Sequence, residues 1–234
     1  MLDPRKETIL RLIIEDYIQS AEPVGSKQLM DRHQLDVSSA TIRNEMAWLE
    51  QEGYLRHPYT SGGRIPTEKA YVYYLQHVVE SEKQPIDSTF DSSTLSDDSF
   101  GSSVRCVAKR LVDASGETAI VAIDPDVGYY IGVSNLLTKP DFEDVELLRS
   151  VSALVDQFEE VMSEIYHVIG DQTVVYIGSQ NPFGQHITTI VTKYHVGNSY
   201  EGLLGLIGPL RMDYGRNIAL IEQAKELILD LYER

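Results

Sequence analysis

Apolar positions recur at helical spacing through the first part of the chain. Ile9, Ile13 and Tyr17 stand four apart, with Leu10, Ile14 and Ile18 beside them, so residues 5–18 carry a broad apolar stripe. Glu22-Pro23-Val24-Gly25 interrupts it. Ser26 is then the expected N-cap of a short helix through Leu29, Met30 and Arg32. Residues 33–37 read as a turn. Ser38 or Ser39 caps the next helix, in which Ile42, Met46 and Leu49 face inward while Thr41, Arg43, Asn44 and Trp48 face outward. Gly53 is a natural stop. From there the period changes to two. Residues 54–59 alternate as a short strand, and Ser61-Gly62-Gly63 reads as a tight turn whose glycines supply positive φ. Residues 64–66 begin a return strand. Thr67 is the expected N-cap of an aromatic-rich helix holding Tyr71, Tyr73 and Tyr74.

Residues 81–103 are dominated by serine and aspartate. Such a segment buries too little apolar surface to offset the entropy of ordering. It reads as a linker between a domain at 1–80 and another at 104–234. The second half alternates helix and strand. Residues 104–114 read as a helix, and 117–123 and 128–133 as strands. Asp141 or its neighbours cap a helix with Val145, Leu148, Val151 and Val155 that runs toward Ile169. Strands follow at 173–178, 188–194 and 203–207, then an amphipathic helix at 216–232. The expected fold class is α+β: an N-terminal winged helix-turn-helix, then a GAF- or PAS-like α/β domain of the sensory type.

Charge complicates a nucleic-acid reading. The chain of 234 residues carries a formal charge of −16, whereas phosphate contacts need Lys and Arg. The acidity is unevenly spread. Residues 1–80 hold nine Lys/Arg against twelve Asp/Glu, a net of −3, and residues 105–234 hold ten against nineteen, a net of −9. Arg43, Arg56, Arg64 and Lys69 fall around the third helix and the wing. A weakly basic reader of DNA is expected, with modest non-specific affinity and a need to bind as a dimer. A single cysteine, Cys106, excludes an internal disulfide framework and a Cys-cluster metal site. No apolar run is long enough to cross a bilayer and the N-terminus has no signal-peptide pattern, so a cytoplasmic protein is expected.

The candidate chemistry is base reading. A helix fits the major groove, and its first turns do most of the contacting. Here those turns offer Ser39, Thr41, Arg43 and Asn44. Arg bonds guanine and Asn adenine bidentately. Ser39 reads first as a cap, a position that also reaches phosphate. The wing adds His57, Ser61, Gly62, Gly63 and Arg64, with Arg64 expected at the tip, reaching a minor groove or a phosphate. Tyr59 and Trp48 read as packing. In the second half, Arg211-Met212-Asp213-Tyr214 reads as an Arg–Asp pair or a helix-start cap, and Asn135 and Asn181-Pro182 as turn residues. No HExxH, GxGxxG, P-loop or nucleophile-elbow pattern occurs. Neither catalysis nor a cofactor nor a metal is expected.

Several blocks, taken in order, carry a resemblance. They are EDYIQSAEPVGSKQL, SSATIRNEMAWLEQEGYL and HPYTSGGRIPTEKAYVYY in the first half, then GVSNLL, PDFEDVELLR, IGSQNP and LLGLIGPLRMDYGRNIALIE in the second. Together they resemble the heat-inducible transcription repressor HrcA, a bacterial regulator of chaperone operons. The resemblance implies a homodimeric repressor that binds an inverted-repeat operator, called CIRCE, upstream of chaperonin genes. It also implies that a GroE-type chaperonin keeps the repressor active, so that unfolded proteins relieve repression by occupying the chaperonin. Most members carry a further dimerisation domain inserted in the GAF-like domain. Here residues 120–125 reach 129–135 across only Asp126-Val127-Gly128, so that insert is lacking. Two alternatives remain for the second half: a small-molecule sensor, or chiefly an interaction module for a chaperone.

Overall fold

The computed structural model describes residues 2–58, 62–79, 99–125, 127–142, 145–197 and 200–230. They fall into two units, Met1–Glu82 and Lys83–Arg234.

The first unit opens with helix α1, Pro4–Ser20. The Asp3 carboxylate accepts from the backbone N–H groups of Arg5 and Lys6 at 3.1 and 3.0 Å. Pro4 stands where its missing N–H costs nothing. Ile9, Leu10, Ile13 and Ile14 are buried, as the stripe predicts. Buried Asp16 pairs with Arg32 at 2.9 Å and His33 at 3.1 Å, tying α1 to the end of helix α2, Ser26–His33. Gly25, not Ser26, is the N-cap of α2, and no side chain caps it. Helix α3 spans Ser39–Gln51 and buries Ile42, Met46 and Leu49. Each such side chain contributes roughly 1.5–3 kcal/mol, against about 1 kcal/mol for a cap. The buried stripe therefore sets how α3 sits. Gly53, at φ 77°, lets the chain leave the helix.

The wing is small. Strands β1 (Leu55–Arg56) and β2 (Ile65–Pro66) pair antiparallel, Leu55 opposite Pro66 and Arg56 opposite Ile65. The strand expected over 54–59 stops after two residues, before Pro58, which has no N–H for a ladder. Tyr59 and Ser61 lie outside the described residues. Helix α4, Glu68–Tyr74, continues as a π-helical turn over Leu75–Val79. Thr67 stands at its N-cap position without a side-chain cap bond. Its hydroxyl instead donates to the carbonyls of Gly53 and Tyr54, which fastens the wing's far strand to the exit of α3.

The second unit begins earlier than its serine content suggests. Helix α5 is Phe100–Ser115, capped by Ser99, and Phe100 is buried against the ring of Tyr200, 4.1 Å between centroids. Residues 99–103 therefore belong to this unit and not to a linker. The rest of the expected linker, residues 81–98, lies outside the described residues. Strands β3 (Thr118–Asp124), β4 (Val127–Ile131), β5 (Val174–Ile177), β6 (Ile187–Val196) and β7 (Tyr200–Pro209) form one antiparallel sheet in the order β4-β3-β7-β6-β5. This arrangement is GAF-like. β3 and β4 are joined by a short hairpin in which Asp124 accepts from the Val127 N–H at 2.8 Å. Between β4 and helix α7 (Val145–Val168) lie a five-residue helix α6 (Val133–Leu137), which the pattern does not mark, and a 3-10 turn (Pro140–Phe142).

Alternation along the strands sorts the core into two layers. Ile120, Ala122, Val191, Leu203 and Ile207 join Val151, Leu154, Phe158, Met162 and Ile165 of α7 on one face. Helices α5 and α8 (Tyr214–Asp230) pack on the other. The inward stripe of α7 differs from the expected one: Val151 is buried, but Leu148 and Val155 are exposed and Leu154 and Phe158 replace them. Asp141 does not cap α7. It lies in the 3-10 turn and pairs bidentately with Arg211 through contacts of 2.7–2.9 Å. Asp213 caps α8 through the Arg216 N–H. The Arg–Asp pair of this corner is thus a long-range one.

Buried Glu117, just before β3, accepts from the Lys139 ammonium at 2.7 Å. Burial outweighs the pull of Lys139 and pushes its carboxyl up to about 7.

Candidate nucleic-acid interface

The start of α3 is built around Ser38. Its hydroxyl oxygen accepts from the Thr41 N–H at 3.1 Å and lies 2.9 Å from the Thr41 hydroxyl. Ser38 is therefore the cap, which leaves half-buried Ser39 as the first helical residue. Thr41 spends its hydroxyl on the cap. Arg43 and Asn44 follow on the second turn. Both are exposed, and neither has a hydrogen-bond or ion-pair partner among the described residues. Trp48 lies further along, under the Lys6 ammonium at 5.0 Å. Glu45 pairs with Lys6 at 3.2 Å and Arg5 at 3.7 Å. This part of α3 is occupied by α1.

An open cleft of about 390 Å³ joins α2, α3 and the wing. Gly25, Ser26 and Lys27 line one side, Arg43 and Met46 the floor, and His57, Gly62 and Arg64 the wing side. Arg43, His57, Gly62 and Arg64 are thereby brought together, whereas Ser39, Thr41 and Asn44 lie outside the cleft. Ser61 lies outside the described residues. His57 holds its Nδ1 2.9 Å from the Pro58 carbonyl.

Three wing residues differ from expectation. Neither Gly62 nor Gly63 has a positive φ. Gly63 is buried against the turn after α1, where a Cβ would lie 2.7 Å from the Pro23 carbonyl carbon and oxygen. Close approach is what demands glycine there, while Gly62 faces open space. Arg64 is at the base of the wing and not at its tip. Its backbone N–H and carbonyl bond those of Val24, each at 2.9 Å. Its Nε donates to Glu50 Oε2 at 2.9 Å.

Most cations of this unit are engaged. Arg5, Lys6, Arg11, Arg32 and Arg64 have carboxylate partners, and the Lys69 ammonium donates to the Glu52 carbonyl over the Tyr54 ring. Lys27, Arg43 and Arg56 have no carboxylate partner among the described residues. Lys27 is not marked by the apolar pattern. Its signal is its place in the first turn of α2, two residues after the Gly25 cap.

A helix start without a side-chain cap, an exposed half-turn of α3 and a short wing surround a cationic cleft. Comparison with known proteins places this unit in a family. Residues 1–79 match a family model described as the winged helix-turn-helix transcription repressor, HrcA DNA-binding, and residues 77–218 match one described as the HrcA protein C terminal domain. The chain belongs to the HrcA family. Residues 1–79 are its DNA-binding winged helix, and the family is one of heat-inducible transcription repressors, a role that is not enzymatic.

Among named relatives, a heat-inducible transcription repressor HrcA from Halalkalibacterium halodurans is 25% identical, with all of both chains covered. That alignment runs over 345 positions, 111 more than this chain has residues. The HrcA of Kineococcus radiotolerans is 46% identical over 115 residues, which cover 47% of this chain and 33% of that one. A crystal structure of a hypothetical protein is 17% identical with a TM-score of 0.84, covering 99% of both chains, and shares the fold. Among the described residues, no helix is long and apolar enough to cross a membrane, and no cluster of His, Cys, Asp and Glu is arranged to hold a metal.

Proposed function

We propose that this chain represses chaperone genes by binding, as a homodimer, an inverted-repeat operator of the CIRCE type. The observation that carries this reading is the pair Arg43 and Asn44. They stand exposed, with no partner among the described residues, on the second turn of a helix whose other face is anchored by Ile42, Met46 and Leu49. Arg43 and Asn44 read base edges, while Ser39 and Thr41 approach the backbone beside them. His57, Ser61, Gly62, Gly63 and Arg64 form the wing's contact, with Arg64 reaching a phosphate from the wing's base. Two copies place two α3 helices in successive major grooves, about 34–36 Å apart, which calls for a palindromic site. Such a repressor works in the cytoplasm. The second unit joins the two copies and is the part that answers to a GroE-type chaperonin, the partner carried by family resemblance. Because β3 and β4 are joined by a short hairpin, that dimer forms without a domain inserted there.

A small-molecule sensor has weaker support. Phe142, Phe158, Phe183 and Met162 fill the space between α7 and the sheet.

The test is a fluorescence-anisotropy titration of the full chain with a duplex carrying the CIRCE inverted repeat and with a scrambled duplex of equal length. Arg43→Ala is expected to lose roughly 1–3 kcal/mol on the repeat, far less on the scrambled duplex, with an unchanged melting temperature. Equal loss on both duplexes makes Arg43 a phosphate contact only. A wild-type chain with no preference for the repeat contradicts the reading.

A further inference from the structure

Glu50 stands on the reading helix with the wrong charge for a polyanion. Its Oε2 accepts from the Nε of Arg64 at 2.9 Å, and both side chains are largely withdrawn from solvent, 33% and 19% exposed. Two roles fit an acid in that place. It neutralises Arg64 and lowers affinity for DNA, or it orients Arg64 and raises it.

The surroundings favour orientation. The Arg64 backbone is already fixed by its two hydrogen bonds to Val24, and Gly63 beside it is packed on Pro23. Only the side chain remains to be placed. A guanidinium presents its donors as a rigid fork that matches the oxygens of a phosphate. Glu50 engages Nε, so the edge carrying Nη1 and Nη2 stays available. Nη1 makes one long contact, 3.4 Å, to the Gly63 carbonyl. Arg64 lines the same cleft as Lys27, Arg43 and His57, and among the described residues no acidic side chain lines it. A cleft of this make-up suits an anion that arrives from outside.

We propose that Glu50 is a positioning residue for DNA-backbone binding: it holds Arg64 by Nε so that the guanidinium fork grips a phosphate at the mouth of the cleft. This rests on the DNA-reading role proposed above for the first unit. It makes a prediction opposite to simple charge counting: losing the acceptor for Arg64 Nε weakens binding to DNA although a negative charge goes with it, and losing the charge alone does not tighten binding.

The experiment measures affinity of the full chain for the CIRCE duplex across a series of salt concentrations, for wild type, Glu50→Ala, Glu50→Gln, Arg64→Ala and the Glu50→Ala/Arg64→Ala pair. Arg64→Ala is expected to lower the salt slope by about 0.9 for each protomer bound. Glu50→Ala is expected to weaken binding about threefold to fivefold, the upper part of the range for ion pairs near a surface, and to lower the slope in the same direction. In the Arg64→Ala background it changes nothing further. Glu50→Gln keeps an acceptor for Nε, so its affinity stays within about twofold of wild type and its slope is unchanged. It carries the test should Glu50→Ala fail to fold. Tighter binding or a steeper slope in either Glu50 variant overturns the inference, as does a Glu50→Ala loss that persists without Arg64. A wild-type chain that does not bind the duplex overturns the underlying reading of function instead.

Discussion

The two units handle charge at different depths. In the second unit, two charged-group contacts sit inside the fold and join segments far apart in sequence, Glu117 with Lys139 and Asp141 with Arg211, while His195 meets Asp171 and Glu201 at the surface. In the first unit, apart from buried Asp16 with Arg32, pairing lies nearer the surface, and two cations that line one cleft, Lys27 and Arg43, keep no carboxylate partner among the described residues. The same ingredients thus lock one half and leave the other ready for an external polyanion. Net charge hides this difference. Both halves are acidic, yet in the first two cations without a carboxylate partner among the described residues, Lys27 and Arg43, line one cleft beside a helix start.

The largest effect expected from breaking this contrast is in the locked half. Gly205 of β7 passes so close to β6 that a Cβ would lie 2.5 Å from the Ile190 carbonyl oxygen, a backbone atom that cannot turn aside. Gly205→Ala should cost about 3 kcal/mol, measured by chemical denaturation. An unchanged midpoint would mean the sheet is looser than described.

A second effect comes from pH. Glu117 has a folded-state value near 7, above the ordinary 4.5 of an unfolded glutamate. The folded protein therefore holds this proton where the unfolded chain has lost it. Its contribution is fully present below about 4.5 and is lost as pH rises through 7, a fall of about 3 kcal/mol. Glu117→Gln should remove that fall, so its stability relative to wild type grows between pH 5 and about 8. Parallel pH profiles for the two proteins would contradict this.

What the sequence made legible follows physical range. The α3 stripe of Ile42, Met46 and Leu49 repeats within one element, and periodicity marks it. The winged order and the strand sites of the GAF-like sheet are readable for the same reason. Contacts between distant elements carry no local period. Glu50 with Arg64, Asp141 with Arg211, and Gly63 against Pro23 are therefore invisible until the chain is folded. Helix α6 is too short to show a period. Residues 99–103 mislead by composition, because Ser99 is a cap and Phe100 a core residue. On α7 the apolar residues outnumber the positions facing the sheet, so Leu148 and Val155 fit a stripe as well as Leu154 and Phe158 do.

The smallest effect sharpens the open half. Lys27→Ala should weaken binding to the CIRCE and scrambled duplexes alike and lower the salt slope by about 0.9 for each protomer bound. A loss confined to one duplex would make Lys27 a base reader instead of a phosphate contact.

The central claim is that two open halves, coupled by two locked ones, read one palindrome. Sedimentation velocity of the full chain tests it most directly, with duplexes carrying the intact inverted repeat or a single half-site. Two chains should travel together on the intact repeat, with much weaker binding to the half-site. One chain per duplex, with equal affinity for both, would contradict the account.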